Sequence, residues 1–424
     1  LRALYLASTT LPFEDRQCAG VVATALNLGQ SIATLDVTNS QRAGTSALHA
    51  ALLAALGGLD EDGSGEILVA AADKRRAKSA APQELLFGDG AAALTVGGGE
   101  VVARFVGAHS VAVDFLDHYR GEHREFDYNW EQRWIRDEGY LKIVPQAIEG
   151  LFAETGLSGA EVDHVVLPCS LPRVLAGLAK RFGFAAAALE DNLHGVLGET
   201  GAAHALVMLV RALEAAGPGE TILVLGFGQG CDALLFETTG SLSALGPRDG
   251  IEGALKRRKE ETNYNKFLAF NRLVIQEHGI RAESNPPTAL SALYRKKEMI
   301  LGLIGGVCGK CGTVQFPKTE ICVNPNCNAL HSQSDEPFAD RAARIMSWSA
   351  DWLTYAADPP AHYGMVQFDE GGRFVADITD HDPGNVEVGM AVKMVFRLKH
   401  FDQQRGFKRY FWKAAPIVAP GEEN

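Results

Sequence analysis

Four cysteines in two pairs form the clearest chemical pattern in the sequence. Two residues separate Cys308 from Cys311, and four residues separate Cys322 from Cys327. Each pair can form a turn that presents two thiolates to one tetrahedral ion, and four sulfur ligands complete the shell of a structural zinc site. The spacing therefore predicts a zinc ribbon without an open catalytic position, with iron as the alternative metal.

Titratable residues in loop segments of the first half are candidates for acid–base chemistry. Glu199 lies in the segment GETG, where it can act as a general base or can stabilise a helix amino terminus by its charge. His194, His118 and Tyr119 are further candidates, although a histidine can equally be structural or exposed. Cys169 follows a strand pattern, where a thiol is a potential nucleophile or inert packing.

The hydrophobic pattern predicts the elements that must position these residues. Up to about residue 239, strand patterns such as GEILVAAAD and TILVLGFGQG alternate with helical ones such as ALHAALLAALGGL. This alternation predicts α/β layers with buried strands. Residues 241–301 are charged and helical, with a break at Pro287. Short strands follow from residue 338 to 416, and the hairpin turn at 370–372 favours a small barrel.

Composition and charge limit the classes of function. The 424 residues are 46% hydrophobic and carry a net charge of −12, which predicts two or three globular domains and argues against nucleic-acid binding across the whole surface. No apolar run approaches the ~20 residues that span a bilayer, and the start lacks the features of a signal peptide. Clustered cysteines favour metal binding in a reducing cytoplasm over disulfides. Because the sequence begins inside a strand pattern, we expect residues before Leu1 in the natural protein.

Several motifs of the first part resemble the thiolase superfamily, in its branch of HMG-CoA synthases and ketoacyl synthases. They are DVTNSQRAGTSAL (36–48), ELLFGDGAAAL (84–94), LPCSLPRV (167–174), GETGAAHAL (198–206) and VLGFGQGCDALLF (224–236). The resemblance implies a layered αβαβα core that lacks its opening strand and helix.

The second part resembles an acyl-CoA-associated family that joins a rubredoxin-like zinc ribbon to an OB-fold. The four cysteines, FP at 316–317, DPPAHYGMVQFDEGGRF and YFWK at 410–413 carry this resemblance. The predicted domains are 1–240 (thiolase-like), 241–301 (helical linker), 302–335 (zinc ribbon), 336–418 (OB-fold) and 419–424 (tail).

At each catalytic position of the family, this sequence carries a different residue type. The nucleophilic cysteine corresponds to Gln41, and an amide cannot accept an acyl group. The family's histidine falls at Cys169 or Ser170, its Gly-Asn-Thr asparagine at Glu199, and its glutamate near Thr9. The resemblance therefore implies a CoA thioester as ligand but not condensation through a cysteine acyl-enzyme.

The resemblance also suggests residues that bind the ligand. Arg42 is a candidate for a carboxylate or a CoA phosphate, or for a salt bridge at a subunit interface. The backbone amides of Gly228 and Gly230 are candidate donors to a thioester oxygen. The basic run 256–259 can contact CoA phosphates or can be a solvated helix face.

Three functions follow from these features. In the first, the protein cleaves or forms a carbon–carbon bond on a CoA thioester by aldol-type chemistry, as a homodimer or in a complex. In the second, it is an inactive scaffold that docks a thiolase or lyase subunit and shares its CoA site. The third, which the net acidity disfavours, is binding of single-stranded nucleic acid by aromatic and basic OB-fold residues. Those residues are Trp348, Trp352, Arg397, Lys399, Phe407, Lys408, Arg409, Tyr410 and Trp412.

Overall fold

A computed structural model describes residues 1–58, 65–246, 248–277, 279–280, 288–356, 358–382 and 384–417. They form two compact units: the first comprises Leu1–Ala19 and Gln30–Glu260, and the second comprises Gly20–Gly29 and the chain from Glu261 onward. The predicted break at Pro287 and the tail at 419–424 lie outside the described residues. Among the described residues, no helix is both long and apolar enough to cross a bilayer.

The first unit contains two sheets and a short hairpin. Its strands are β1 (Ala3–Ala7), β2 (Ala33–Val37), β3 (Ile67–Lys74), β4 (Asp89–Val96), β5 (Ala103–Ala112), β6 (His118–Tyr119), β7 (Tyr128–Asn129), β8 (His164–Val166), β9 (Thr221–Phe227) and β10 (Gly230–Thr238). One sheet has the order β2-β1-β3-β4, with β1 parallel to both neighbours and β4 antiparallel to β3. The other has the order β5-β10-β9-β8, with β8 and β9 parallel. The strands β6 and β7 form the hairpin.

Helices fill the space between these sheets and cover the second one. The helices up to residue 256 are α1 (Cys18–Ala25), α2 (Ala43–Leu56), α3 (Gln132–Trp134), α4 (Leu141–Thr155), α5 (Val174–Phe182), α6 (His204–Ala215) and α7 (Gly250–Lys256). Buried residues of α2 and α6 share one core with both sheets, whereas α4 and α5 pack on the other face of the second sheet.

Small residues explain how α2 fits between the sheets. Ala43, Ala47 and Ala51 are almost fully buried along one face of this helix. Gly44 faces the backbone of Ala202, whose oxygen would lie 2.2 Å from a Cβ at that position. This close packing requires the Ala- and Gly-rich composition of the segment, and the predicted layered α/β core is confirmed.

The second unit contains a three-stranded ribbon and a five-stranded barrel. Besides Gly20–Gly29, it contains the helices α8 (Tyr264–Phe270), α9 (Leu290–Arg295) and α10 (Lys297–Leu301). The ribbon has the order β12-β11-β13, and the barrel sheet has the order β16-β15-β14-β17-β18. The strands are β11 (Ile304–Cys308), β12 (Val314–Gln315), β13 (Gln333–Pro337), β14 (Ala343–Asp351), β15 (Ala361–Phe368), β16 (Arg373–Asp377), β17 (Ala391–Asp402) and β18 (Phe407–Pro416).

The barrel closes through a bridge between Ile378, just after β16, and Ala414 in β18. At the β15–β16 turn, Gly371 and Gly372 have positive φ values of 119° and 83°, which residues with a Cβ rarely adopt. The hairpin predicted at this turn is therefore present, and the predicted small barrel is confirmed.

Candidate functional site

A cavity of ≈ 160 Å³ lies in the first unit, near the ends of β2, β3 and β9. The carboxyl ends of strands in α/β sheets are where such proteins usually place their ligands. The polar side chains that line this cavity include those of Gln41, Arg75, His118, Tyr140, His194 and Glu199. The site therefore brings together three of the predicted acid–base residues with two that were not predicted, Arg75 and Tyr140.

Gln41 lies in the turn between β2 and α2, pressed against the turn between β9 and β10. The hydroxyl of Ser40 donates to the carbonyl of Gly228 at 2.8 Å. A Cβ at Gly228 would lie 2.8 Å from Ser40 Oγ and 3.1 Å from the Gln41 nitrogen, so only glycine fits there. The backbone at residue 228 thus fixes the position of Gln41.

The Gly228 amide, a predicted donor to a thioester oxygen, already has a hydrogen-bond partner within the turn. Its N–H donates to the carbonyl of Gly230 at 3.0 Å, so the turn itself uses this hydrogen. Gly230 has φ 124°, and a Cβ there would lie 2.0 Å from the oxygen of Val111. Both glycines therefore have structural reasons to be present, and ligand binding by Gly228 and Gly230 stays a prediction.

Arg75, at the end of β3, is the central cation of the site. Its Nη1 donates to Glu199 at 2.6 Å, its Nη2 donates to Asp127 at 2.6 Å, and its guanidinium lies 3.7 Å from the ring centre of Phe87. The side chain is only 2% exposed. Burial alone would lower the pKa of Arg75, but the two carboxylates outweigh this effect and raise it.

Asp127 and Glu199 hold Arg75 from opposite sides. Burial disfavours the charged form of Asp127, yet the charge and hydrogen bond of Arg75, with help from His118 and Arg120, lower the pKa of this carboxyl group. Glu199 reaches the cavity because the backbone around it pairs with residues 86–88: its N–H donates to Leu86 and its carbonyl accepts from Gly88. The ion pairs therefore connect three distant segments of the chain.

The amide of Gln41 completes this network. In the orientation that satisfies its hydrogen bonds, its nitrogen donates to Glu199 Oε1 at 3.2 Å, and its oxygen accepts from Arg75 Nη1 at 3.0 Å and His118 Nε2 at 3.2 Å. This orientation requires a proton on Nε2 of His118. Three charged or chargeable side chains thus hold an uncharged amide where the resemblance places a nucleophile.

The hairpin β6–β7 supplies His118 and separates it from its neighbour Tyr119. His118 Nδ1 lies 3.1 Å from Asp117 Oδ2, so a buried carboxylate orients the ring towards Gln41. Tyr119 is 47% exposed, and its ring packs against Tyr128. Alternation along the strand explains why only one of the two predicted residues lines the cavity.

His194 lines the cavity with a ring that packs against another histidine. Its ring stacks on His204 with 4.6 Å between centroids, and neither of its buried ring nitrogens hydrogen-bonds to any residue that the structure describes. Burial lowers the pKa of His194. The imidazole is therefore neutral at neutral pH and can accept a proton.

The positions of the family's histidine and glutamate carry no equivalent chemistry here. Cys169 is buried, and burial raises the pKa of its thiol to about 12, so it is not a reactive thiolate. Ser170 lines the cavity. Thr9 donates through its amide and its hydroxyl to Asp73, which also accepts from the Ala202 amide. Asp73 is thus occupied by the backbone segments that it joins.

Arg42 pairs with a buried carboxylate of the same chain. Its Nη1 lies 2.8 Å from Asp232 Oδ1, and Asp232 also accepts from the hydroxyls of Thr45, Ser46 and Ser110. This intrachain pair competes with the predicted contact to a CoA phosphate. The role of Arg42 in CoA binding stays a prediction.

The four cysteines of the ribbon converge as the spacing predicted. Their Sγ atoms all lie within 4.8 Å of one another, with 3.9 Å between Cys308 and Cys327 and 3.5 Å between Cys311 and Cys322. Tetrahedral zinc with bonds of about 2.3 Å would separate its sulfur ligands by ~3.8 Å. The donor set therefore fits a closed structural zinc site.

Two of the predicted phosphate-binding residues of the barrel, Arg397 and Lys399, are engaged in ion pairs. Arg397 pairs with Asp380 at 2.7 Å, and Lys399 pairs with Asp377 at 2.8 Å. Trp348 and Trp352 are 40% and 70% exposed. Pairing with carboxylates reduces the positive charge that Arg397 and Lys399 offer to single-stranded nucleic acid.

Two domain models match the second part of the chain. Residues 301–329 match the ChsH2 rubredoxin-like zinc ribbon domain, and residues 337–397 match the ChsH2 C-terminal OB-fold domain. These matches confirm the predicted order of ribbon and barrel.

Curated relatives match the first part. Hydroxymethylglutaryl-CoA synthase of Aeropyrum pernix is 28% identical over 264 residues, which cover 61% of this chain and 72% of the relative. The enzyme of the same name from Pyrococcus furiosus is 27% identical over 272 residues, covering 61% and 74%.

Solved structures give the same fold. An HMG-CoA synthase complexed with CoA aligns with a TM-score of 0.55 and 14% identity, covering 68% of this chain and 77% of that one. A β-ketoacyl-[acyl carrier protein] synthase III from Thermus thermophilus aligns with a TM-score of 0.50 and 19% identity, covering 57% and 78%. The first part therefore has the thiolase-like fold of condensing enzymes and is HMG-CoA synthase-like in sequence.

Proposed function

We propose that the first unit binds a CoA thioester in this cavity and cleaves or forms the bond between Cα and Cβ of its acyl group. The reaction is of the retro-aldol or aldol type and uses no acyl-enzyme. The observation that carries this proposal is the Gln41 amide, which is held by Arg75, His118 and Glu199 inside a cavity that retains an unpaired histidine. The CoA ligand is proposed from the HMG-CoA synthase-like sequence and fold.

Cleavage of a β-hydroxyacyl thioester needs one base and one stabiliser of negative charge. The base takes the β-hydroxyl proton, the Cα–Cβ bond breaks, and Cβ leaves as a carbonyl group. The electron pair moves to Cα and the thioester oxygen as an enolate, which then takes a proton at Cα. None of these steps requires a covalent bond to the protein.

Among the predicted candidates, His194 fits the base better than Glu199. The carboxylate of Glu199 is bonded to Arg75 and to the amide of Gln41, whereas His194 is neutral and unpaired among the described residues. We assign Glu199 and His118 the positioning of Gln41 and Arg75. Tyr119 has no assigned role because its side chain points away from the cavity lining.

Turnover of a substrate panel by the full-length, zinc-loaded protein tests this proposal. The panel holds acetyl-CoA, acetoacetyl-CoA, HMG-CoA and β-hydroxyacyl-CoAs with branched, aromatic or polycyclic chains, followed by mass spectrometry. We expect one β-hydroxyacyl-CoA to split into a carbonyl compound and a shorter thioester.

Since general bases contribute about 10²–10⁴-fold, His194→Gln should reduce the rate at least 100-fold. His123→Gln, a change at an exposed histidine, should not reduce it. Activity that requires acylation of a cysteine would contradict the proposal.

The scaffold remains the second candidate. Its support is the occupation of the nucleophile position by an amide that hydrogen-bonds to three side chains, together with the ChsH2-type zinc ribbon and OB-fold. The absence of turnover for the whole panel, with zinc bound and the fold intact, would favour it. A docked thiolase or lyase subunit would then supply the catalytic groups.

Homodimerisation is part of the proposal in both cases. The antiparallel strand β4 pairs with β3 on one side only, and its residues alternate between exposed and half-buried. An edge strand of this length is available for pairing with a second copy. Light scattering of the purified protein should give twice the chain mass of 45.5 kDa.

Nucleic-acid binding by the barrel is disfavoured by the paired state of Arg397 and Lys399. We expect no binding of oligonucleotides at physiological salt. Affinity that falls steeply as salt rises would overturn this expectation.

A further inference from the structure

Tyr140 lines the cavity but has no part in the steps given above. It is the last residue of a π-helical turn, Ile135–Tyr140, that leads directly into α4. Such turns add a residue to a helical turn, redirect the side chains that follow, and recur at functional sites.

The residue before it shows how tightly this turn is packed. A Cβ at Gly139 would lie 2.8 Å from Cε1 of Phe115 and 3.0 Å from Cζ of Phe227. The ring of Tyr140 in turn stacks on Phe227, with 4.1 Å between centroids and 28° between planes. Gly139 and Phe227 together therefore fix the ring, and with it the position of the phenol oxygen.

The hydroxyl group of Tyr140 can change its acceptor. It donates to the carbonyl of Pro168 at 3.2 Å, longer than the usual O–H···O distance of about 2.7–2.8 Å. Rotation about the C–O bond redirects the hydrogen without moving the ring. Two other donors of the cavity, Arg75 and His118, are engaged with the oxygen of Gln41.

The environment keeps this phenol protonated. Burial, followed by the electrostatic effects of Cys169, Asp117 and Glu199, raises the pKa of Tyr140 well above its ordinary value. A buried neutral phenol is suited to stabilise negative charge by donating a hydrogen bond.

We propose that Tyr140 is a catalytic residue whose hydroxyl donates a hydrogen bond to the thioester oxygen as the enolate forms. This inference rests on the proposed function. His194 takes the β-hydroxyl proton and returns it to Cα, while Tyr140 keeps its own proton throughout. The step needs no oxidant, reductant or further reactant.

The test replaces the hydroxyl alone, by Tyr140→Phe in the full-length, zinc-loaded protein. Tyr128→Phe is the matched control, because this residue is 56% exposed and is absent from the residues that line the cavity. With the substrate found in the panel, we expect kcat to fall at least 100-fold for Tyr140→Phe while KM changes less than threefold. The control should change neither. A kcat for Tyr140→Phe within threefold of the parent value would overturn the inference.

A binding measurement separates failure of this inference from failure of the proposed function. Acetoacetyl-CoA forms an enolate that absorbs in the near ultraviolet, so enolate stabilisation is visible without turnover. We expect the parent protein and Tyr128→Phe to increase this absorbance on binding, and Tyr140→Phe not to do so. If the panel gives no turnover, the proposed function fails, and the absorbance decides the role of Tyr140. Equal absorbance in parent and Tyr140→Phe, or no increase in either, rejects it.

Discussion

At the scale of single residues, Gln41 determines which group the surrounding charged side chains hydrogen-bond to. A cysteine at this position would leave Arg75, Glu199 and His118 to act on a nucleophile or its acyl group. Here they hydrogen-bond to an amide that cannot react. The site keeps its donors and acceptors in place while the covalent route is closed, which is why we assign noncovalent chemistry to it.

The first prediction at this scale concerns Arg75. Replacement by Met leaves Glu199 without its cation and Asp127 with Arg120 as its remaining partner, and an unpaired buried charge costs about 3–5 kcal/mol. For a unit of this size that corresponds to a fall in thermal midpoint of roughly 6 °C or more. Glu199→Gln keeps an acceptor for Arg75 and should lose about 1–2 kcal/mol. Differential scanning calorimetry measures the loss of stability in both variants. Equal losses in the two variants would contradict the central role of Arg75 in this network.

The second prediction concerns thiol reagents. Because burial raises the pKa of the Cys169 thiol to about 12, iodoacetamide at pH 7.5 should leave Cys169 unmodified in the folded protein. Peptide mass spectrometry reports the modification, with the urea-unfolded chain as the positive control. Turnover should persist in Cys169→Ala. Loss of turnover in proportion to Cys169 alkylation would contradict a route without an acyl-enzyme.

At the scale of elements, the site is built where strands end and unusual turns begin. Gln41, Arg75 and Phe227 follow or end the strands β2, β3 and β9, while Tyr140 ends a π-helical turn. Hydrogen bonds between residues 86–88 and Glu199 then join the turn before β4 to the segment before α6. The position of each side chain in the cavity therefore depends on the residue at which its strand or turn ends.

A pH-dependent contact links β8 to two neighbouring segments. His164 lies between Glu190, 2.7 Å from Nδ1, and Glu220, 2.8 Å from Nε2. Burial would lower the pKa of His164, but the hydrogen bonds and charges of the two glutamates outweigh it and raise the pKa. The imidazolium is thus favoured in the folded state.

The third prediction follows from the sign of this shift. A raised folded-state pKa gives stability that is fully present below the ordinary histidine pKa of about 6.5 and is lost as pH rises through the folded value. His164→Gln should therefore be less stable than the parent at pH 6, and the difference should shrink by pH 8.5. Urea unfolding at both values measures it, with exposed His123→Gln as the control. A difference that is constant or grows with pH would contradict the assignment.

At the scale of the whole molecule, each unit has an apolar core, and in the second unit the barrel core includes the ribbon residues Leu303 and Phe316. The α/β unit has two large apolar cores. Around the zinc ligands the buried cluster comprises only Cys308, Cys322 and Ala329, with Cys327 packed against it. This cluster is too small to hold the two cysteine turns together by burial, so we expect their arrangement to depend on metal.

The fourth prediction is that metal removal unfolds the ribbon and spares the first unit. We expect one zinc per chain by elemental analysis, and loss of it in Cys308→Ser or after treatment with a strong chelator. Calorimetry should then lose the transition of the ribbon, while the transition of the α/β unit keeps its midpoint. Full retention of both transitions without metal would contradict a structural zinc.

The sequence by itself determined the parts that depend on local pattern. Cysteine spacing predicted the metal site, because the ligands of each pair are neighbours in the chain. Alternation of apolar strands and helices predicted the layered core. The glycines at 371 and 372 predicted the hairpin, and in the structure both have the positive φ that such turns use. These features need only a few consecutive residues, so one sequence is enough to find them.

Tertiary structure alone decided which side chains meet. The pair Arg75–Glu199 joins positions 124 residues apart, and Arg75 had no local pattern beyond its place after a strand. Tyr140 lines the cavity because it ends a π-helical turn, which hydrophobic periodicity does not predict. Tyr119 lies outside the cavity lining because neighbouring side chains of a strand point to opposite faces. Contacts between distant segments depend on how strands end and pack against one another. That information lies in the three-dimensional arrangement of the chain rather than in any short stretch of it.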